Sequence, residues 1–315
     1  MYAHFVQSPL LTHFVTMFSL AALTFSILKK HPGSKLLAYN RSYHYLPALV
    51  VAWFMRASIF LDLEDGYINE SNGVLGQIKN AITKKLFDVL CPSGALLAAS
   101  ALSAQVESPH TLVCYGVASE LQAPAQDWSM TRLKILFGGT LLEEVGSQLL
   151  LDALVTLLAR HPNFFKEMEL VVTGKGPWEG PLSELANNYP TFVTFAKDLS
   201  AEKYAEILRT CHIGLSLRLS KYAMGATTFP SKVLEYAGNG LLVVSTRTSD
   251  VPVLMGSTAI YLDQESPEGF AELLLDLSRR RVDLQSVAIN GFERVVGQCN
   301  RLAVGNVLAK FFSVN

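Results

Sequence analysis

The sequence has little net charge and few cysteines. Its 315 residues carry a net charge of −1, and charged residues make up 17% of the chain. This balance argues against the basic surface on which dedicated nucleic-acid-binding proteins depend. The cysteines show no C-x-x-C spacing, which predicts free thiols in a reducing compartment and argues against a disulfide framework or a zinc site. They are Cys91, Cys114, Cys211 and Cys299.

Low-complexity tracts and short-period repeats are also missing from the sequence. Half of the residues are apolar, which is typical of a globular protein and not of a disordered one. A chain of this length predicts about two domains, each with enough residues to bury a core.

Charge is absent from one long apolar stretch, residues 9–28. Its length is near that of a membrane span. However, Thr12, Thr16, Ser19 and Ser26 fall on one stripe, as in a helix that is buried on most sides and solvated on one. No Lys or Arg precedes the stretch, which argues against a signal peptide. We predict a helix of a soluble domain, with a membrane span and an interfacial helix as the alternatives.

Short apolar runs alternate with helical patterns, as in parallel sheets with crossover helices. The runs are too apolar for a sheet with one solvated face, so both faces are predicted to be covered. The predicted strands are Lys35–Tyr39, Ser58–Leu63, Leu96–Ala98, Thr111–Tyr115, Leu133–Phe137, Glu169–Thr173, Thr191–Phe195, Ile213–Leu217, Leu241–Ser245 and one at Tyr261. The helices predicted after the helix over residues 9–28 are Tyr45–Met55, Ile78–Val89, Ser147–Arg160, Leu182–Asn187, Ala201–Thr210, one around Lys232, Pro267–Arg280 and Phe292–Phe312.

This alternation predicts an α/β protein with two doubly wound, Rossmann-like domains. In such domains the ligand crevices lie at the carboxyl ends of the strands. The polar, proline-containing segment 122–129 indicates a linker. We therefore predict an N-terminal domain over residues 1–124 and a C-terminal domain over residues 130–290.

The segment from Thr227 to Gly240 indicates a loop, a short helix and a glycine turn ahead of a buried strand. Pro230 suits the first helical position, where a missing N–H costs nothing. Gly238 or Gly240 supplies the left-handed residue that ends the helix. This helix is therefore predicted to begin beside the carboxyl end of the preceding strand.

Lys232 and Glu235 lie three residues apart, so they share one face near the positive end of this helix. An anion placed there meets free backbone N–H groups, the helix dipole and an ammonium together. The carboxylate, one turn further on, can accept hydrogen bonds from two neighbouring hydroxyls such as those of a ribose. The pair predicts a sugar-nucleotide site, with an exposed helical ion pair as the alternative.

The second half of the chain resembles the C-terminal domain of GT-B glycosyltransferases, in the retaining group marked by an E-x7-E motif. The resemblance covers about Leu133 to Arg280 and depends on an ordered series of motifs. The series is Phe137-Gly-Gly-Thr140, Val172-Thr-Gly-Lys-Gly-Pro177, the segment Phe195–Tyr204 with Leu199-Ser200 before a helix, Cys211-His-Ile-Gly-Leu-Ser-Leu-Arg218 and Pro230-Ser-Lys-Val-Leu-Glu235. It implies a GT-B architecture whose final helix, within 291–315, crosses back to the N-terminal domain. That domain is expected to be shortened, because nothing before residue 35 matches the family's usual first strand.

The resemblance also assigns roles to residues of the donor site. It implies that Glu235 holds the donor ribose and that Lys232 stabilises the leaving diphosphate. Thr227 stands where the first glutamate of the motif belongs, and a threonine can still hydrogen-bond a sugar hydroxyl. The family often carries an Arg and a Lys after the first strand of this domain, and Thr140 and Val145 replace them here.

Further donor contacts are predicted from two loops. The glycine turn around Lys175 lets a backbone approach the nucleotide, and Arg218 and Lys221 are expected to assist Lys232. A plain turn and solvated loop charges are the alternatives. Besides Lys232, Glu235 and Thr227, the predicted donor-binding residues are Gly139, Thr140, Gly174, Lys175, Arg218 and Ser231.

A second, weaker prediction concerns the N-terminal domain. Glu64 and Asp65 follow a strand and are expected to accept hydrogen bonds from sugar hydroxyls, and Tyr43 follows another strand and can stack on an acceptor. For the acidic residues, the alternatives are a simple acidic turn and a metal-binding D-x-D pattern that includes Asp62. For Tyr43, the alternative is core packing. The parallel-sheet pattern argues against that metal site, so no metal is predicted.

We therefore predict a retaining glycosyltransferase that moves a hexosyl unit from a nucleoside diphosphate sugar, with UDP or GDP, to a glycan or a lipid-linked acceptor. No tightly bound cofactor and no nucleic-acid partner are expected. The expected location is the cytoplasm, with peripheral contact to the inner membrane face left open. The alternatives are a catalytically impaired binding protein and a sugar-nucleotide epimerase on the same fold.

Overall fold

The computed structural model describes residues 9–66, 73–118, 121, 124–222 and 224–313. The chain divides into two compact units. The first unit contains the described residues up to Tyr115 together with those from Leu308 onward, and the second unit runs from Gly116 to Val307. The division falls earlier in the chain than the boundary at residue 124 that the linker pattern indicates.

The first unit is built on a parallel sheet of four strands in the order β1-β2-β3-β4. The strand β2 lies inside the sheet, and its Ile59 and Phe60 are fully buried. The strands are β1 (Lys35–Tyr39), β2 (Ser58–Leu63), β3 (Gly94–Leu97) and β4 (Thr111–Val113). The helices are α1 (Pro9–Lys30), α2 (Leu46–Phe54) and α3 (Gly73–Leu90), with 3₁₀ turns at Tyr43–Tyr45 and Ser100–Gln105.

The helix predicted over residues 9–28 is α1, which packs against α2. Several of its large apolar side chains are exposed, including Phe14, Phe18 and Phe25. Over the described ranges of the chain, no helix combines the length and apolarity that crossing a bilayer requires.

The second unit is built on a parallel sheet of six strands in the order β10-β9-β8-β5-β6-β7. The strands are β5 (Leu133–Thr140), β6 (Met168–Lys175), β7 (Val193–Ala196), β8 (Ile213–Ser216), β9 (Leu242–Thr246) and β10 (Ile260–Leu262). The helices are α4 (Ser147–Arg160), α5 (Glu179–Asn188), α6 (Ala201–Thr210), α7 (Met224–Thr227), α8 (Ser231–Gly238), α9 (Val251–Met255), α10 (Pro267–Arg279) and α11 (Arg281–Cys299). Both sheets are parallel with helical crossovers, so the predicted α/β class is confirmed.

The strand order of the second unit fixes where a ligand can bind. The chain builds β5, β6 and β7 outward in one direction and then returns to place β8 on the other side of β5. Neighbouring crossovers leave the sheet in opposite directions at this switch point. A crevice opens there at the carboxyl ends of the strands. The residues that end β5 and β8 are therefore the first place to look for a site.

Both faces of β5 carry buried apolar residues, and Lys134 is the one charged residue in the strand. Leu133, Ile135 and Phe137 alternate along the strand and join the main core of the unit. Leu136, which points to the opposite face, is also fully buried. The strand is thereby held rigidly up to its glycine-containing end.

The chain ends in two helices where one was predicted over Phe292–Phe312. The prediction was wrong at Asn300, whose backbone is extended (φ −70°, ψ 159°) and separates α11 from α12 (Arg301–Ser313). The side chain of Asn300 accepts a hydrogen bond from the backbone N–H of Ala303 at 2.9 Å, which is an N-cap of the new helix. Within the first unit, Phe311 packs against Phe60 and Leu96.

Candidate functional site

Two cavities of the second unit lie at the switch point of its sheet. The first has a volume of about 280 Å³, and the second of about 460 Å³. Gly139 and Lys232 line both of them, so the cavities adjoin. The polar and glycine residues lining the first are Gly138, Gly139, Thr140, Glu144, Ser216, Arg218, Ser231 and Lys232. Those lining the second are Gly139, Thr173, Gly174, Lys175, Asp198, Ser200, Tyr204 and Lys232.

Glycines shape the wall that the cavities share. Gly139 and Gly174 are register partners in β5 and β6, and both have left-handed φ angles, of 121° and 122°. A Cβ on Gly174 would lie 1.8 Å from the carbonyl oxygen of Gly139. Only glycine fits at that position, and the resulting surface is bare backbone that a ligand can approach closely.

The helix α8 begins beside this wall. Pro230 has an extended ψ of 106° and is the residue before the helix, so its predicted place as first helical residue was wrong. Ser231 and Lys232 then form the amino end that faces the first cavity. Gly240, with φ of 78°, supplies the predicted left-handed turn after the helix. The amino end of α8 thus points its free N–H groups toward the cavity region.

Lys232, Glu235 and Tyr204 form a closed set of three hydrogen bonds. The Nζ of Lys232 lies 2.6 Å from Oε2 of Glu235 and donates to the hydroxyl of Tyr204 at 2.8 Å. That hydroxyl donates in turn to Oε2 of Glu235 at 3.0 Å. Lys232 also lies over the ring of Tyr204, 4.9 Å from its centre. The structure brings the two predicted residues together and adds a third.

Tyr204 is the residue that sequence analysis missed. It lies on α6, whose N-cap Ser200 accepts from the N–H of Lys203. Burial, together with the neighbouring Tyr236 and Glu235, raises the pKa of Tyr204 well above its ordinary value, so its hydroxyl keeps its proton and donates. No spacing in the sequence marks Tyr204, because its role arises from the packing of α6 beside α8.

The predicted cations around the cavities all face carboxylates. Arg218 lies 3.4 Å from Glu144, and Lys221 lies 2.6 Å from Glu143. Glu143 and Glu144 lie in the 3₁₀ turn after β5 (Glu143–Val145). Two consecutive glutamates after this strand are the sequence signal for the pairing.

Lys175 is also paired, at 2.6 Å from Asp198, and the hydrogen bond to that carboxylate raises the pKa of Lys175. Both side chains are 73% exposed, so this pair contributes little to stability. It lies at the rim of the second cavity.

Thr227 is the last residue of α7 and lies outside the residues that line the two cavities. Its hydroxyl is buried and has no hydrogen-bond partner among the described residues. Thr140 and Ser231, in contrast, line the first cavity beside Lys232. In the part of the chain that the structure describes, no group of three or more His, Cys, Asp or Glu side chains could hold a metal ion.

The predicted acceptor residues lie in the first unit, after β1 and β2. The hydroxyl of Tyr39 donates to Glu64 at 2.7 Å, and this hydrogen bond raises the pKa of Tyr39 to about 12. The Asn40 side chain donates to Asp65 at 3.3 Å and accepts from the backbone of Glu64 at 2.8 Å. Burial, and then the charge of Glu64, raises the pKa of Asp62 to about 6. These residues form one polar cluster at the strand ends.

Tyr43, the third predicted acceptor residue, lies in the 3₁₀ turn before α2 and is 43% exposed. Its ring stacks on His44 with 4.1 Å between ring centres, and Lys79 lies over the ring at 5.4 Å. The side chain is therefore partly accessible, with His44 and Lys79 already in contact with its ring.

A family model matches this part of the chain. Residues 132–280 match the model of glycosyl transferases group 1, and this matched segment contains both cavities. The match confirms the resemblance to glycosyltransferases, while the retaining mechanism stays a prediction. No curated protein sequence matches the chain.

Solved structures match nearly the whole chain. Anabaena Alr3699/HepE in complex with UDP is 14% identical, with a TM-score of 0.72 over 94% of this chain and 82% of that one. A structure described as trehalose-6-phosphate from E. coli bound with UDP-2-fluoro glucose is 13% identical, with a TM-score of 0.69 over 97% and 79%. A trehalose-6-phosphate synthase studied for glycosyltransfer with retention is 13% identical, with a TM-score of 0.68 over 99% and 80%. At this identity the likeness shows the fold, which is GT-B.

Proposed function

We propose that this protein is a retaining glycosyltransferase that moves a hexosyl unit from a nucleoside diphosphate sugar to a glycan or a lipid-linked acceptor. One observation carries the proposal: Lys232, at the amino end of α8, lines both cavities and lies 2.6 Å from Glu235. A phosphate site beside a carboxylate that can accept from a diol has the chemistry that a sugar nucleotide requires. The group 1 match over residues 132–280 supports the same reaction class.

In the proposed reaction the diphosphate leaves from a position over the amino end of α8. Lys232 and the free N–H groups of that helix stabilise the negative charge that grows on it, and such stabilisation is usually the largest catalytic contribution. The bare backbone at Gly139 and Gly174 gives the nucleotide a close approach to the sheet. The proposal needs no metal ion, because the ammonium and the helix end supply the positive charge.

Glu235 is proposed to hold the ribose of the donor. The Oε2 of Glu235 accepts from Tyr204 and Lys232. Ribose hydroxyls are donors of the same kind, so they can take over part of this hydrogen bonding. Two of the similar structures are complexes with UDP or a UDP sugar. This supports UDP as the first nucleotide to test, with GDP as the alternative.

The proposed mechanism is retention, with the acceptor attacking the face from which the diphosphate leaves. Among the residues lining the two cavities, no side chain is placed as a covalent nucleophile. A similar structure is described for glycosyltransfer with retention. Arg218, Lys175, Thr140 and Ser231 are proposed as further donor contacts. Thr227 is proposed as a sugar contact that requires α7 to move, since its hydroxyl is buried.

The acceptor is proposed to meet Glu64, Asp65 and Tyr43 of the first unit. A lipid-linked acceptor would place the enzyme in the cytoplasm with peripheral contact to the inner membrane face. The exposed aromatic side chains of α1 and the lysines Lys29 and Lys30 at its end support such a contact. Co-sedimentation with anionic vesicles, and its loss on Phe18→Ser, tests this part.

The donor assignment is tested with a thermal-shift panel of UDP and GDP sugars, followed by turnover of the donor that stabilises most. Lys232→Ala should lower turnover well over tenfold while the protein stays folded, because the leaving diphosphate loses its ammonium. Lys203→Ala, on the exposed side of α6, is the matched control and should leave turnover unchanged. Equal turnover in Lys232→Ala and the parent protein would refute the assignment.

A second candidate is a binding protein that retains the donor site but does not catalyse transfer. The pairing of Arg218 with Glu144 favours it, because it reduces the positive charge available to a diphosphate. Calorimetric binding of nucleoside diphosphates without transfer across an acceptor panel would select this candidate.

A further inference from the structure

A carboxylate lines the cavity in which the proposed function places a diphosphate. The charged side chains lining this cavity are Glu144, Arg218 and Lys232. Glu144 lies 3.4 Å from Nη1 of Arg218, and the two side chains are only 25% and 20% exposed. A diphosphate binds guanidinium through the same charge-assisted hydrogen bonds that a carboxylate forms. It therefore has to compete with Glu144 for Arg218.

The main chain of Arg218 cannot take part in that exchange. Its N–H donates to the hydroxyl of Thr246 at 3.0 Å, and the same hydroxyl donates to its carbonyl oxygen at 2.6 Å. The next N–H, of Leu219, donates to the carbonyl oxygen of Glu144 at 2.9 Å. Thr246 is fully buried, so these contacts hold the strand end firmly. Only the guanidinium is left to turn from the carboxylate toward a phosphate.

The two carboxylates near the donor differ in what a ligand offers them. Glu235 exchanges its present donors for ribose hydroxyls, so it stays hydrogen-bonded when a nucleotide binds. Glu144 receives no donor from a diphosphate and loses Arg218 to it. A partly buried carboxylate without its partner then faces phosphate oxygens of the same charge.

We propose that Glu144 is a specificity-determining residue that discriminates against phosphate charge at the donor site. The inference rests on the proposed function and concerns the same cavity. A free nucleoside diphosphate ends in a phosphate monoester, which ionises further than the sugar-linked diphosphate of the donor. Glu144 therefore weakens binding of the product more than binding of the donor, and so promotes release of the leaving group after transfer.

The test is Glu144→Gln, which removes the charge and keeps the size of the side chain. Dissociation constants are measured by calorimetry for UDP, UDP-glucose and uridine, and for GDP, GDP-mannose and guanosine. Affinity should rise about tenfold for the diphosphate and about threefold for the sugar diphosphate, since one partly screened charge is removed. Affinity for the nucleoside should not change, and rising salt should reduce the differences.

Glu143→Gln is the matched control. Glu143 is the adjacent glutamate, it is ion-paired to Lys221 at 2.6 Å, and it does not line the cavity. Its substitution should leave every dissociation constant within about twofold, because exposed ion pairs are strongly screened. Glu144→Ala, which lacks both the charge and the amide, should show the same order of affinity gains as Glu144→Gln. The gain should be largest for the diphosphate, smaller for the sugar diphosphate and absent for the nucleoside.

The outcomes separate this inference from the function on which it rests. If the parent protein binds a nucleoside diphosphate and Glu144→Gln binds it equally or more weakly, Glu144 positions Arg218 or is irrelevant, and the inference is overturned. Equal tightening of nucleoside and diphosphate would overturn it as well. If neither the parent protein nor any variant binds a nucleoside diphosphate, the proposed function is overturned together with the inference.

Discussion

The hydroxyl of Tyr204 donates to Oε2 of Glu235 at 3.0 Å and accepts from Nζ of Lys232 at 2.8 Å. In the proposed donor complex, a ribose hydroxyl would donate to Glu235 as this hydroxyl does. The Tyr204 hydroxyl keeps the carboxylate and the ammonium hydrogen-bonded at a partly buried site, where each is 31% exposed. It thereby stabilises the arrangement that a donor needs.

Tyr204→Phe should lower the free energy of unfolding by about 1 kcal/mol, because a partly buried carboxylate loses one hydrogen bond. Denaturant unfolding followed by circular dichroism measures this change. Tyr189→Phe is the control, since Tyr189 is exposed and its ring contact with Phe165 survives the substitution. A loss in Tyr204→Phe no larger than in the control would show that the Tyr204 hydroxyl contributes nothing to stability.

Gly174→Ala should destabilise the second unit severely, by about 3 kcal/mol or more. The new Cβ would lie 1.8 Å from the carbonyl oxygen of Gly139, and the φ of 122° is strained for any residue with a side chain. Gly180→Ala, in the helix α5, is the control: its Cβ meets nothing within 4 Å and should stabilise slightly. The midpoint of thermal unfolding distinguishes the two, and equal midpoints would contradict the close approach of β5 and β6.

Most of the fold could be predicted from the sequence because its strands are short segments rich in apolar residues. The strands Lys35–Tyr39 and Ser58–Leu63 have the bounds that their runs predict. The break at Asn300 could not be predicted in the same way, since the helical pattern continues on both sides of it. What ends α11 is the side chain of Asn300, which caps the next helix.

The candidate site was predictable only where its residues share one helix. Lys232 and Glu235 are three residues apart in α8, so their contact follows from helical geometry. Tyr204 reaches them through packing between elements far apart in sequence. The Arg218–Glu144 pair spans 74 positions and joins the ends of two strands that meet only in the folded sheet.

Asp62 should make the protein less stable as pH rises from about 4 to about 6. Burial, and then the charge of Glu64, raises the pKa of Asp62 from 3.8 to about 6, so in this range the folded state binds more protons than the unfolded state. The contribution of Asp62 to the free energy of unfolding is therefore fully present below about pH 4 and is lost as the pH rises through about 6. Asp62→Asn should flatten this part of the profile and raise the unfolding midpoint at pH 7.

Thermal unfolding at closely spaced pH values between 3.5 and 7.5, roughly the span of the two pKa values, measures the effect of Asp62→Asn. Glu184→Gln, in an exposed position of α5, is the control and should leave the profile unchanged. A profile of Asp62→Asn that runs parallel to that of the parent protein would mean that Asp62 titrates alike in both states.

Glu235→Gln should weaken binding of the nucleoside diphosphate by about tenfold, because the neutral amide keeps one acceptor oxygen and accepts from ribose hydroxyls more weakly than a carboxylate does. Binding of inorganic pyrophosphate should change by less than about threefold, since the phosphate contacts lie at the amino end of α8 and the substitution leaves them in place. Calorimetry with both ligands gives the comparison. Glu206→Gln, at an exposed position of α6, should change neither constant. If pyrophosphate and nucleoside diphosphate weakened equally, Glu235 would act on the phosphates through Lys232, and the ribose contact assigned to its carboxylate would be wrong.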